Sequence, residues 1–123
     1  MGYHAKIHLQ RLDRGEPIKT RVPLPVQTWT FADDLAIVFL GGEVVADYSL
    51  RLKAELDRKR VWINSYANDV PCYIPSERVL KEGGYEGGDA MIFHDWASPF
   101  LPGLERRIID EVHYQLGESF RPR

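Results

Sequence analysis

Cysteine is nearly absent. Cys72 stands alone among 123 residues, so no intrachain disulfide forms and no cysteine-based zinc knuckle can be built. No apolar run approaches the roughly 20 residues a helix needs to span a bilayer. Met1 to Leu12 lacks the charged-then-apolar layout of a signal peptide. Neither sign of charge is in excess: 16 basic residues face 18 acidic ones, for a net charge of -2. No global field therefore draws the chain to nucleic acid or to an anionic membrane surface. The clusters Arg58-Lys59-Arg60 and Arg106-Arg107 are too small for a nucleic-acid footprint and read as solvated helix ends or faces. No repeat, low-complexity tract or second-domain boundary stands out. An apolar fraction of 44% remains, enough for the core of one domain over residues 1–123.

The pattern predicts an α/β fold: a mixed sheet of about five strands with helices packed on it. Ala5, Ile7 and Leu9 alternate with Lys6, His8 and Gln10, the period of a strand buried on one face. His4 and His8 then share its outer face. Their spacing resembles a zinc motif that needs a helix with a Glu between, and that Glu is missing, so they read as exposed strand histidines. Arg11 to Arg21 reads as a loop. Val26 to Phe31 alternates, Ala32-Asp33-Asp34 makes a turn, and Leu35 to Leu40 is apolar throughout, as a central strand covered on both sides should be. Gly41-Gly42-Glu43 is expected to open a helix with Val44, Val45, Tyr48, Leu52 and Leu56 as its core stripe. Asp57 to Arg60 leads on to the strand Val61-Trp62-Ile63, completing a strand-helix-strand unit with parallel strands. Pro75-Ser76 starts a short helix that Gly83-Gly84 stops. Ala90 to Phe93 reads as another strand, with His94 as a loop histidine hydrogen-bonded beside Asp95. The final helix carries Leu104, Ile108, Ile109, Val112 and Leu116, ends at Gly117, and has a structural His113 on its flank.

The loop from Asn64 to Ser76 stands out. It holds two Asn, an Asp, the lone thiol and two Tyr, too polar for a core strand and too rich in rings for an idle connection. Parallel strands end on the same edge of a sheet, where ligands bind in open α/β folds. Glu43 should therefore face this loop across the sheet top.

Gly42-Glu43, then Asn68-Asp69-x-x-x-Tyr73-Ile74, then Tyr85-Glu86-Gly87 resemble the neutral ceramidase family, and bacterial ceramidase-like proteins most of all. The likeness runs from about Ile7 to Leu116. It implies a zinc-dependent amidase that hydrolyses the N-acyl bond of ceramide, or of a related lipid amide, to a fatty acid and sphingosine. Zinc in that family is held by two histidines, a glutamate and a tyrosine. By resemblance Glu43 and Tyr73 are metal ligands, and Tyr85 hydrogen-bonds the carbonyl oxygen of the scissile amide. A phenol aimed at a developing oxyanion suits that chemistry, as does a zinc site that keeps one position for water.

Nothing in the chain matches the motifs of the family's two histidine ligands, and the ligand role does not pass to His4 or His8. The resemblance thus implies the final third or so of a catalytic domain with half a metal site, inactive until a histidine-bearing segment or partner subunit completes it. A full-length enzyme of this kind would be secreted or periplasmic. The alternatives are a non-catalytic α/β binding or oligomerisation module, and a homo-oligomer in which His4, His8 or His94 of a neighbour completes the site.

Overall fold

The computed structural model describes residues 2–123; Met1 lies outside them. The elements run α1 (Gly2–Asp13), β1 (Val26–Phe31), β2 (Leu35–Leu40), β3 (Glu43–Val44), α2 (Asp47–Glu55), β4 (Val61–Asn64), β5 (Tyr73–Ile74), α3 (Glu77–Glu82), α4 (Gly84–Gly87), a 3-10 segment (Asp89–His94) and α5 (Leu104–Leu116). The architecture is α/β. Five strands form a three-stranded mixed sheet in the order β1-β2-β4 and a two-stranded parallel sheet of β3 and β5.

β2 is central because its residues are the most apolar run available. β1 folds onto it as an antiparallel hairpin, with Val26 opposite Leu40 and Phe31 opposite Leu35. Ala32, at φ 47°, makes the left-handed corner of the turn. β4 pairs with β2 in parallel, Ala36 beside Val61 and Phe39 beside Asn64, so β2, α2 and β4 form the expected strand-helix-strand unit. Ala36, Val38 and Leu40 are fully buried under Tyr48, Leu52 and Leu56 of the α2 region and Ile108, Ile109, Val112 and Leu116 of α5, with Phe120 closing one end. The helix stripes are those that the 3.6-residue period marks.

The other face of the sheet is not covered. Leu35, Ile37 and Phe39 are only half-buried, while Trp29, Phe31 and Trp62 are more than half exposed. Trp29, Ile37 and Trp62 stand abreast across the three strands. An apolar run on both faces reports two apolar surfaces, and it cannot say what lies against each.

Several local assignments change. Ala5 to Gln10 lies inside α1 and is no strand. Three alternating apolar residues carry less weight than a run rich in Ala, Lys, Leu, Gln and Arg, all good helix formers. The charged loop accordingly begins only after Asp13. Ala90 to Phe93 is 3-10 helix, with Ala90 and Met91 buried in succession where a strand would send them to opposite faces. Glu43 opens no helix: Glu43–Val44 is β3, and α2 starts at Asp47. Arg60 is not a solvated cation. It pairs with Asp57 at 2.8 Å, donates to the carbonyls of Asp33, Ser119 and Arg121, and lies over the Phe120 ring. Arg106 is exposed as expected. His113 meets Glu55 at 2.7 Å and ties α5 to α2.

Ser76 caps α3, its hydroxyl accepting from the Val79 N–H at 3.2 Å while donating to Asp47 at 2.5 Å. Hydrogen bonds from Arg78 and then Ser76 hold the Asp47 carboxyl below its usual range. Ser76→Ala therefore removes a buried cap and a tie between α3 and α2, and should cost about 1–2 kcal/mol of unfolding free energy in urea. Because the Asp47 pKa is depressed in the folded chain, its contribution is present above the ordinary carboxylate pKa and is lost as pH falls through the lowered value. The wild-type advantage over Ser76→Ala should shrink across that acid window, and an unchanged difference there would rule out the Asp47 linkage.

Candidate functional site

Past the end of β2 the backbone turns sharply at Gly42, φ 72°, a conformation that favours glycine. This turn is knitted to the Asn64–Ser76 loop at every step. The Gly42 N–H donates to the Asp69 carbonyl at 2.8 Å, and the Gly42 carbonyl accepts from the Tyr66 N–H at 2.9 Å and from the Ser65 hydroxyl at 3.1 Å. The Glu43 N–H donates to Cys72 O at 3.0 Å, the Val44 N–H to Ser65 Oγ at 3.0 Å, and the Val45 N–H to Ile74 O at 3.2 Å. β3 and β5 thus lie parallel with Glu43 directly beside Tyr73. The sequence places Glu43 near this loop; the pairing makes them neighbours on a two-residue ladder.

Tyr85 joins them from α4. Its ring packs edge-on to the Tyr73 ring, centroids 5.4 Å apart, and lies 6.3 Å from the ring of Phe93. The Gly83-Gly84 corner, both residues at φ 76°, allows the chain to leave α3 and enter α4 at once. Gly87 is equally specific, since a Cβ there would meet the Val79 carbonyl at 2.6 Å. The three residues singled out in the sequence, Glu43, Tyr73 and Tyr85, therefore form one cluster. Glu43 and Tyr73 are half-buried, and Tyr85 opens to solvent.

One member of the cluster was not singled out. Tyr66 is held at φ 59° and Asn68 at φ 67°, two left-handed non-glycine residues in a three-residue span. Such conformations are uncommon and persist where surrounding contacts fix them. Hydrogen bonding to the Glu43 carboxylate, followed by desolvation, pushes the Tyr66 phenol up to about 12. Burial first, then the Glu43 charge, raises Tyr73 as well. The Glu43 carboxylate thus bears on both phenols, and disfavours the phenolate of each. Nothing in the sequence indicated the Tyr66 backbone conformation.

Cys72 carries no chemistry. It is fully buried, and burial pushes its thiol up to about 11. Asp69 contributes its carbonyl to Gly42 and its carboxylate to the Val70 N–H at 2.9 Å.

A second cluster lies elsewhere. His4 and His8 are one turn apart on α1, with Nε2 atoms 2.9 Å from each other and 4.0 and 3.7 Å from Asp95 Oδ1. His8 is buried, so the expectation of two exposed strand histidines does not hold. These three residues could together hold a metal ion, and nothing in their arrangement identifies zinc. Asp95 is gripped by Arg11 at 2.8 and 2.9 Å, and His94, expected as a hydrogen-bonded loop histidine, is instead the last residue of the 3-10 segment. The histidine spacing is plain in the sequence. What it lacked was the helix, and a third donor from 87 positions beyond His8.

Among the described residues no helix is long and apolar enough to cross a membrane. Set against family models, curated proteins and solved structures, the chain finds no match.

Proposed function

We propose that the chain is part of a zinc-dependent hydrolase of N-acyl amide bonds, acting on ceramide or a related lipid amide, and that a segment or subunit bearing two histidines completes its metal site. One observation carries the reading. Glu43, Tyr73 and Tyr85, the residues that the ceramidase resemblance marks, come from three separate stretches and meet in one cluster.

In this reading Glu43 and Tyr73 hold the ion through oxygen, and Tyr66 hydrogen-bonds Glu43 and orients its carboxylate. Zinc, when bound, supplies Lewis acidity and a water-derived nucleophile at neutral pH. Tyr85 donates its phenol hydrogen to the amide carbonyl oxygen, so that the charge developing there as water adds is met by a fixed donor. The C–N bond then breaks, the amine leaves with a proton, and the acyl group departs as the carboxylate. The exposed ring of Phe93 beside Tyr85 offers an apolar surface to an acyl chain.

The purified chain should bind zinc weakly and hydrolyse an N-acyl amide only when the histidine-bearing segment is added. In a His4→Gln background, which silences the other cluster of metal-ligating side chains, Tyr73→Phe should weaken zinc binding more than Tyr85→Phe, as measured by competition with a chromogenic chelator. Equal affinity in both variants, with turnover unchanged, sinks the assignment. A second reading, a non-catalytic binding or oligomerisation module, draws on the uncovered sheet face with Trp29, Phe31 and Trp62, since an apolar patch of that kind marks an interaction surface. Absence of zinc binding in the His4→Gln background, with self-association abolished by Trp62→Lys, would favour it.

A further inference from the structure

We propose that His4, His8 and Asp95 form a second cation site, separate from the Glu43–Tyr73 cluster, which takes a divalent transition metal and clamps α1 to the segment that carries Phe93 and Trp96. Residues four apart on a helix face the same way, which sets both imidazoles toward Asp95. Their Nε2 atoms are 2.9 Å apart. Two nitrogens each about 2.0–2.1 Å from a common ion lie about 2.9–3.4 Å from one another, so this pair needs almost no adjustment. The Asp95 oxygen, at 3.7 and 4.0 Å, has to close by a few tenths of an ångström. Asp95 adopts φ 61°, a left-handed conformation that turns its carboxylate back toward the helix.

In the Nδ1–H tautomers both Nε2 lone pairs face one another at 2.9 Å with no proton between them and are free to ligate, an arrangement that leaves His8 Nδ1 buried without a partner among the described residues, with or without an ion. A histidine kept inside a protein for structure ordinarily has its ring nitrogens hydrogen-bonded. His8 is 7% exposed; His4 and Asp95 are its nearest polar groups, and Arg11, Glu16 and Lys19 line the adjoining cleft. A cleft of about 430 Å³ opens beside the pair, walled by Ala5, Leu9, Leu12, Ile18 and Ile92. It leaves room for a fourth, exchangeable ligand.

Two features limit the affinity. Arg11 already neutralises Asp95, and His8 Nδ1 lacks the acceptor that usually steadies a ligating imidazole, an omission that costs about 10–100-fold. The ion is therefore exchangeable. Its effect reaches the first cluster through Trp96, whose indole N–H donates to the Pro71 carbonyl at 3.0 Å, two residues before Tyr73.

The test uses the full chain carrying Glu43→Gln and Tyr73→Phe, so that the oxygen-rich site is silent and the fate of the amidase reading does not enter. Cobalt(II) titration should give one bound ion per chain, with visible ligand-field bands. Adding His4→Gln or Asp95→Asn should each weaken binding by about tenfold or more. Cobalt should also slow tryptic cleavage after Lys6 in the parent and not in either variant. Absence of binding up to about 1 mM cobalt, or affinity unchanged in both variants with their circular dichroism intact, overturns the proposal. Two conservative variants at different elements keep the result readable if one fails to fold.

Discussion

Under the proposed amidase reading, Tyr85→Phe should lower amide turnover of the completed, zinc-loaded assembly by about 10²–10³-fold and leave its zinc content unchanged. The substitution removes one hydroxyl and keeps the ring that packs edge-on to Tyr73 at 5.4 Å. Packing of the cluster is therefore preserved, and so is the Glu43–Tyr73 pair. What disappears, on that reading, is a hydrogen-bond donor aimed at the oxygen on which charge develops, a loss worth about 2.7–4 kcal/mol of transition-state stabilisation. An effect of this kind falls on kcat and on kcat/KM alike, because the donor matters most after the substrate is bound. Turnover that falls only in step with zinc content would make Tyr85 a support for the metal site and remove its proposed contact with the amide. Full activity in the variant would remove Tyr85 from the chemistry altogether.

The second large effect is expected at Gly42, where the fold and the site depend on the same atom being absent. A Cβ on Gly42 would lie 2.5 Å from Ile74 Cγ1 and 3.2 Å from the Cys72 carbonyl, at φ 72°. Ile74 is fully buried and cannot swing away. Overpacking costs about 1–3 kcal/mol, and holding an alanine in the left-handed region adds about 1–2 kcal/mol. The sum is a large share of the ~5–15 kcal/mol that ordinarily stabilises a domain. Gly15→Ala supplies the control: its φ of 75° is similar, but nothing lies within 4 Å of the added carbon. Urea unfolding should therefore show Gly42→Ala several kcal/mol below wild type and Gly15→Ala about 1–2 kcal/mol below. Equal midpoints for the two variants would mean that contact with Ile74 carries no weight. If Gly42→Ala does fold, the β3–β5 ladder should be displaced and zinc affinity should drop with it.

The hairpin, the parallel strand-helix-strand unit and α5 were legible in the sequence because each is announced by a local period. Leu35–Leu40 has no polar residue, α5 repeats its apolar residues every three or four positions, and Gly83 and Gly117 end their helices where expected. The cluster was legible in part. Motif order gave Glu43, Tyr73 and Tyr85, and parallel topology put the first near the second. The helical state of Ala5–Gln10 was not legible, since three alternating apolar residues fit either period. Glu43 as strand was missed for a different reason. A two-residue strand exists only by virtue of its partner, and Tyr73-Ile74 lies 30 positions downstream.

The sequence by itself determined what depends on neighbours in the chain: which segments are amphipathic, where glycine must turn the backbone, that β2 is central, and which residues hold donor atoms. Tertiary structure alone decided what depends on distance between separate segments. It paired Glu43 with Tyr73, drew Tyr66 to the same carboxylate, buried His8 against Asp95, and left Trp29, Phe31 and Trp62 without cover. The physical reason is range. Periodicity and turn chemistry act over a few residues, whereas a metal site, a shared proton or an uncovered face is fixed only when the whole chain has closed around its core.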